Sequence, residues 1–250
     1  MKIDDYIDGM NPSTAIAYRS TAKYLAGWLE CKNTMPHLTF DKYLANLKLA
    51  ENTRIKHIRQ ARTIVKNCNL NYEIDAKTPV KTIPPQFSND DFQTLYAAFD
   101  DCPFPTFIQS DQRYRFWQTI IHFVAVTALR RQAILGVNQS DVNWHEHTIY
   151  ILPENDKKQK FRTKPLTADL VANLLDLLRF YDKDAIPASM QNRLFPWTHC
   201  TNTWYKCWNT AEERVGMRFR LLDLKRFSGH LALQAGANAI ELMKHMDHQG

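Results

Sequence analysis

The chain has 250 residues, of which 44% are hydrophobic, and its formal net charge is +6. This length and composition predict one large globular domain or two smaller ones. The longest apolar run, residues 117–129, is too short to cross a bilayer and is interrupted by Gln118 and His122, and the first residues have no signal-peptide character. We therefore expect a cytoplasmic protein with no membrane partner.

The basic charge is concentrated at the start of the chain. Residues 1–85 contain 13 Lys and Arg against 8 Asp and Glu, whereas residues 86–250 contain 19 against 18. A basic excess suits a polyanionic partner but does not establish one. The five cysteines are odd in number and lack close CxxC pairing, which predicts reduced thiols, and no spacing indicates a metal site. No metal or cofactor is predicted.

Three helices are predicted within the first 70 residues. Ser13 or Thr14 is placed to cap the first, residues 39–47 form the second, and residues 51–53 begin the third. Apolar residues recur at helical spacing behind each start, so the helices should pack as a small bundle.

The third helix carries a basic stripe. Arg59, Arg62 and Lys66 recur at three- and four-residue steps, and Arg54 and Lys56 join them at the start of the helix. Such a stripe can lie along phosphates, and it can equally be a solvated face. The sequence leaves both interpretations open.

A proline-containing segment, residues 75–86, has the composition of an interdomain linker. We place the boundary near residue 84, which divides the chain into residues 1–84 and 85–250. In the second part, strands are predicted at 148–152 and 161–166 with a lysine-rich turn between them, and a helix at 204–215 has tryptophans expected in the core.

The segment Thr127-Ala128-Leu129-Arg130 follows an apolar run that should bury Arg130, and Asp141 comes after it, shortly before the predicted strands. It resembles the box that carries the first catalytic arginine of the tyrosine recombinases, the phage-integrase family. Ala128 and Ala133 depart from the family pattern. By itself the segment is equally well an ordinary buried helix end from which an arginine reaches solvent.

The predicted hairpin is similar to the one that brings a catalytic lysine into the active site of that family. Counting back eight residues from Pro165 gives this role to Lys157, while Lys158 and Lys160 suit it less and are expected to contact DNA. The alternative is a lysine-rich tip whose charge only keeps the hairpin soluble.

Residues 222–238 resemble the His-x-Leu-Arg box of the family, and residues 241–248 resemble its Leu-Leu-Gly-His segment. An ungapped register, which we prefer, places Lys225 at the second arginine position, Leu222 at the first histidine position and His248 at the last. A shift by one residue would instead make Arg226 the arginine and put Asp223 in place of the histidine.

The resemblance implies a particular chemistry. In the family, two arginines and a lysine neutralise the scissile phosphate while a tyrosine attacks it to form a 3′-phosphotyrosyl link. Arg binds two phosphate oxygens at once and Lys is a point charge, so Lys225 should support binding better than catalysis. The tyrosine of the family lies about nine residues beyond the last histidine, and the sequence given ends two residues after His248. Binding without strand cleavage is therefore expected.

The resemblance also implies a fold and a set of partners. The fold is mainly α with a small antiparallel β-sheet or hairpin: a helical, SAM-like core-binding domain over residues 1–84 and a recombinase-type catalytic domain over residues 85–250. The partner is double-stranded DNA, held by oligomers of up to a tetramer, in the nucleoid of a prokaryotic or phage-derived cell and without a small-molecule substrate.

Two alternatives remain to a site-specific recombinase or integrase whose given sequence lacks the nucleophilic tyrosine. One is a catalytically inactive DNA-binding regulator on the same fold, and the other is a helical protein-interaction module without DNA function. Salt-dependent binding to duplex DNA distinguishes the second from the rest.

Overall fold

A computed structural model describes residues 2–78, 87–156 and 159–246 of the chain. These residues form two compact units, one on either side of the proline-containing segment. The predicted fold class, mainly α with a small antiparallel sheet, is confirmed. Within the described ranges no helix is both long enough and apolar enough to span a membrane.

The first unit is a bundle of helices that packs around a buried tryptophan. Trp28 is 1% exposed, and its indole N–H donates to the Leu38 carbonyl over 2.8 Å. A buried indole needs such a partner, so this bond fixes the loop after the second helix to the core. The helices are α1 (Ile3–Asp8), α2 (Pro12–Lys32), α3 (Phe40–Asn46) and α4 (Glu51–Asn67).

The predicted cap of α2 is wrong, whereas the predicted start of α4 at residues 51–53 is confirmed because this helix begins at Glu51. Asn11, rather than Ser13 or Thr14, caps α2, because Pro12 occupies the first helical position and the Asn11 side chain accepts from the Ser13 amide. The cap position of α4 is held by Ala50, one residue before the predicted start, without a side-chain hydrogen bond.

The second unit is built around a helix that is buried almost all round. Phe116, Trp117, Ile120 and Val124 of α6 are fully buried, and α6 packs against α8 and α10. The tryptophans of α9 lie in the same core, as predicted. The helices are α5 (Asn89–Ala97), α6 (Arg113–Thr127), α7 (Arg131–Gly136), α8 (Ala168–Arg179), α9 (Thr201–Val215), α10 (Leu221–Gln234) and α11 (Ala239–His245).

Three antiparallel strands in the order β1-β2-β3 form the sheet of this unit. They are β1 (Val142–Asn143), β2 (Thr148–Ile151) and β3 (Arg162–Pro165), and β2 and β3 form the predicted hairpin. In this register Lys164 pairs with Ile149, so its side chain lies on the buried face of the sheet.

Candidate nucleic-acid interface

Arg130 follows a sharp reversal of the backbone at the end of α6. Ala128 has φ +56° and lies in the left-handed region, which costs an alanine about 1 kcal/mol, while its methyl group and the Leu129 side chain are both buried. The anchored reversal places Arg130 at the cap position of α7 with an extended backbone.

The prediction that Arg130 is buried is wrong. The apolar run does go into the core, but the chain turns at Ala128, and the Arg130 side chain is exposed. Within the described part of the chain its guanidinium has no hydrogen bond or ion pair. It is therefore available to an anion from solvent.

The helix that follows Arg130 is joined to the base of the hairpin. The Gly136 carbonyl, at the end of α7, accepts hydrogen bonds from the Asn155 side-chain amide over 2.9 Å and from the Arg193 guanidinium. A side chain at position 136 would overlap Asn155, so glycine permits this approach. The Arg130 segment and the hairpin are thus held together only two residues before Lys157.

Lys157 and Lys158 lie outside the described residues, so their predicted roles are not tested. The hairpin flanking them is ordered by an ion pair in which Arg162 donates to the Asp156 carboxylate over 3.0 Å, and both side chains are largely buried. The backbone amide of Lys160 also donates to Asp156 over 3.3 Å, and the Lys160 side chain is exposed.

An exposed aromatic ring lies next to these basic residues. Phe161 stacks on Tyr150 with ring centroids 5.7 Å apart and planes inclined by 25°. One face of the Phe161 ring is thereby covered, and the side chain as a whole is exposed. Lysines and an ordered aromatic ring together are suited to contact with a nucleic acid.

The two candidates for the second arginine position, both in the first turns of α10, differ in exposure. Lys225 is buried, whereas Arg226 is exposed and donates to the Asp223 carboxylate over 3.0 Å. Arg220 also donates to Asp223, and this hydrogen bond raises the pKa of the Arg220 guanidinium. Leu222, the residue at the histidine position of the ungapped register, is exposed.

A polar contact ties α11 to α10 and to β3. The Ser228 hydroxyl lies 2.6 Å from His245 Nε2, and the buried Lys164 ammonium donates to the His245 carbonyl. His248, the predicted last histidine, lies outside the described residues. The segment leading to it is nevertheless held at His245 from two sides.

The basic stripe of α4 is present in the first unit, with one correction. Lys56, Arg59, Arg62 and Lys66 are exposed and make no ion pair within the described residues, whereas Arg54 is partly buried and pairs with Asp41 over 3.4 Å. Two residues of helical rotation, about 200°, separate Arg54 from Lys56 and turn it toward α3. The open stripe therefore has four members.

The sequence matches no protein-family model and no curated protein sequence. Several solved structures are similar to it. XerH site-specific recombinase bound to palindromic difH substrate, in a post-cleavage complex, aligns with a TM-score of 0.68 and 14% identity over 94% of this chain and 73% of its own. The Tn1549 transposon integrase in complex with circular intermediate DNA aligns with a TM-score of 0.64 and 13% identity over 100% of this chain and 92% of its own.

A lambda integrase tetramer bound to a Holliday junction aligns with a TM-score of 0.63 and 14% identity over 99% of this chain and 76% of its own. The chain has the fold of the tyrosine recombinases. At these identities the likeness extends to the fold of both units and not to the role of any single residue.

Within this tyrosine-recombinase fold, six residues that help to form the candidate site were not predicted from the sequence. Lys164 had a local signal, since strand alternation places it on the face of the buried Ile149. The other five gave no signal in the sequence. Asn155, Arg193, Ser228 and His245 act through partners at least 17 residues away. Asp156 pairs with Arg162 across the hairpin.

Proposed function

We propose that the protein binds double-stranded DNA as a site-specific recombinase or integrase. The observation that carries the proposal is the junction at Gly136, where Asn155 and Arg193 hold the Arg130 segment against the base of a lysine-rich hairpin. An exposed, unpaired arginine and a basic hairpin held together form a surface that suits a phosphate backbone. The tyrosine-recombinase fold supports this assignment.

The second surface in the proposal is the open stripe of α4. Its four side chains project from one face of a rigid helix that is packed on its other face, so they can follow a phosphate backbone without being reordered. From the sequence alone, this stripe could equally contact phosphates or be a solvated face. We favour DNA contact because the XerH, Tn1549 and lambda enzymes of this fold were solved with DNA.

Assembly on DNA is part of the same proposal. The lambda integrase was solved as a tetramer bound to a Holliday junction, and we propose that this chain also acts as an oligomer of up to four copies on DNA, in the cytoplasm. We assign it no cofactor, metal or small-molecule substrate.

A DNA-binding regulator on the same fold is the second candidate, and α10 favours it. Lys225 is buried, and Arg226 already donates to Asp223, so neither presents a free bidentate fork to a phosphate in this conformation. Such a site would lose transition-state stabilisation before it lost affinity for DNA.

The salt dependence of duplex binding tests the proposal. Fluorescence-anisotropy titrations at several salt concentrations should give a steep log–log slope, to which each phosphate contact contributes about 0.9. The variant Arg59→Ala/Arg62→Ala should reduce that slope by about 1.8, since it removes two contacts.

Arg54→Ala is the matched control, because Arg54 lies on the same helix but pairs with Asp41. It should leave the slope of the parent protein unchanged. An apparent affinity for the duplex that does not change with salt concentration would refute DNA binding through phosphates. It would favour the protein-interaction module. An equal effect of the double variant and the control would refute the role of the stripe.

Covalent trapping separates binding from cleavage. Because Lys225 is buried and Arg226 is paired with Asp223, we expect the 250-residue polypeptide to form no covalent adduct with a pool of nicked duplexes. A shifted band on a denaturing gel would contradict this. Tyr205→Phe would then show whether Tyr205 is responsible, since it is 53% exposed and its ring lies 5.1 Å from the Arg131 guanidinium carbon.

A further inference from the structure

Two cysteines that are far apart in sequence line the same cavity in the second unit. Cys102 lies in the loop after α5, Cys207 lies on α9, and the cavity between these segments has a volume of about 240 Å³. All five cysteines of the chain are free thiols. The rest of the cavity wall is mainly apolar, with Arg214 and Lys206 as its basic members.

The two thiols differ in exposure and in the direction in which their pKa values are shifted. A hydrogen bond from Cys207 lowers the pKa of the Cys102 thiol, and Arg214 lowers it further, although burial opposes both. The same contact and burial raise the pKa of the Cys207 thiol. Cys102 is also partly exposed, whereas Cys207 is buried.

This asymmetry is the one found in peroxide-sensing pairs, in which an accessible thiol of low pKa attacks and a neighbouring thiol resolves. We propose that Cys102 and Cys207 form an oxidisable dithiol that a hydroperoxide converts to a disulfide. This site is separate from the candidate DNA-binding residues and does not depend on the proposed function.

The chemistry has two steps. The Cys102 thiolate attacks one peroxide oxygen, an S–O bond forms while the O–O bond breaks, and the leaving oxygen takes a proton to become water or an alcohol. The Cys207 sulfur then attacks the resulting sulfenic sulfur, the S–O bond breaks, and the sulfenic oxygen leaves as water with the Cys207 proton. Two thiols are oxidised and one peroxide is reduced.

Cys200, at the cap position of the helix that contains Cys207, provides a control. It is exposed, and hydrogen bonds from Thr203 and from backbone amides at the start of α9 lower its pKa, so it should also react with peroxide. It lies seven residues from Cys207, a helical rise of about 10 Å. A disulfide requires Cα atoms closer than about 7 Å, so Cys200 cannot resolve with Cys207.

Peptide mapping under non-reducing conditions tests the proposal. The 250-residue protein, titrated with hydrogen peroxide, should lose two hydrogens and yield one cross-linked peptide pair containing Cys102 and Cys207. Cys200→Ser should give the same pair. In Cys207→Ala, Cys102 should stop at the sulfenic acid and be trapped by dimedone.

Three results would overturn the proposal: both thiols remaining reduced while Cys200 is oxidised, Cys102 bridging to a different cysteine, or an unchanged two-hydrogen loss in Cys102→Ser. If Cys207→Ala fails to fold, the mapping of the parent protein and of Cys200→Ser decides the question by itself.

Discussion

Asp223 organises the first turn of α10 through a single carboxylate. It is buried, with 6% of its side chain exposed, and it accepts hydrogen bonds from Arg220, both backbone and side chain, and from Arg226. Arg226 is the alternative candidate for the second arginine position, and its guanidinium is held by Asp223. A DNA phosphate would have to compete with the carboxylate for it.

Asp223→Asn should lower the free energy of unfolding by about 1–3 kcal/mol, since charge-assisted hydrogen bonds to a buried acceptor are weakened while both arginines stay in contact with water. Asp101→Asn is the matched control. Asp101 also pairs with an arginine, Arg214, over 2.9 Å, but it is 84% exposed and should contribute no more than about 1 kcal/mol. Chemical denaturation of both variants measures the difference, and equal losses would show that burial of Asp223 is unimportant.

At the scale of elements, a buried polar contact joins α2 to α4 in the first unit. Thr21 donates to Gln60 over 2.6 Å and lies 2.7 Å from His57 Nδ1. Since the one hydroxyl proton goes to Gln60, Nδ1–H of His57 must be the donor to Thr21. Tyr24 covers the ring from the side, with centroids 4.8 Å apart.

Burial, assisted by Lys56, lowers the pKa of His57 from its ordinary value of 6.5. Between the folded and unfolded pKa values the unfolded chain therefore binds more protons, so stability is lost as the pH falls through about 6.5. Thermal unfolding should show the parent protein losing stability more steeply below that pH than His57→Gln does.

The comparison with His57→Gln also separates the contribution of His57 from that of the other histidines. His122 and His199 have lowered pKa values for the same reason, burial, and both are retained in the variant. If stability depended on pH in the same way in both proteins, protonation of His57 would not change the free energy of unfolding.

For the whole molecule, the proposal requires both units to contribute to DNA affinity. Adding Arg130→Ala to Arg59→Ala/Arg62→Ala should lower the salt slope by about 2.7 in total, because separate phosphate contacts add. Arg179→Ala, an exposed arginine at the end of α8, is the control and should leave the slope unchanged. If Arg130→Ala has no effect of its own, the second unit does not use this arginine on DNA.

Much of the local structure could be predicted because its causes are local. Thr39 and Ser88 cap their helices through their own side chains, and the β2–β3 hairpin follows from strand alternation on either side of a polar turn. The buried tryptophans of α9 follow from helical spacing. These signals need only neighbours within a few residues.

The candidate site was less predictable because its causes are non-local. An apolar run before Arg130 indicates burial, and only the left-handed backbone at Ala128 turns the side chain outward, a conformation that alanine does not signal. Arg54 does not belong to the open stripe, because it pairs with Asp41 on α3.

The sequence by itself predicted the fold class through its family resemblance, four of the helices, the hairpin, and the basic residues that could contact a phosphate. Tertiary structure alone decided which of them are exposed, which are paired, and which are brought together. It buried Lys225, joined Gly136 to Asn155 and placed Cys102 and Cys207 on the wall of one cavity. Exposure and pairing depend on contacts between segments distant in sequence, and no spacing along the chain encodes those contacts directly.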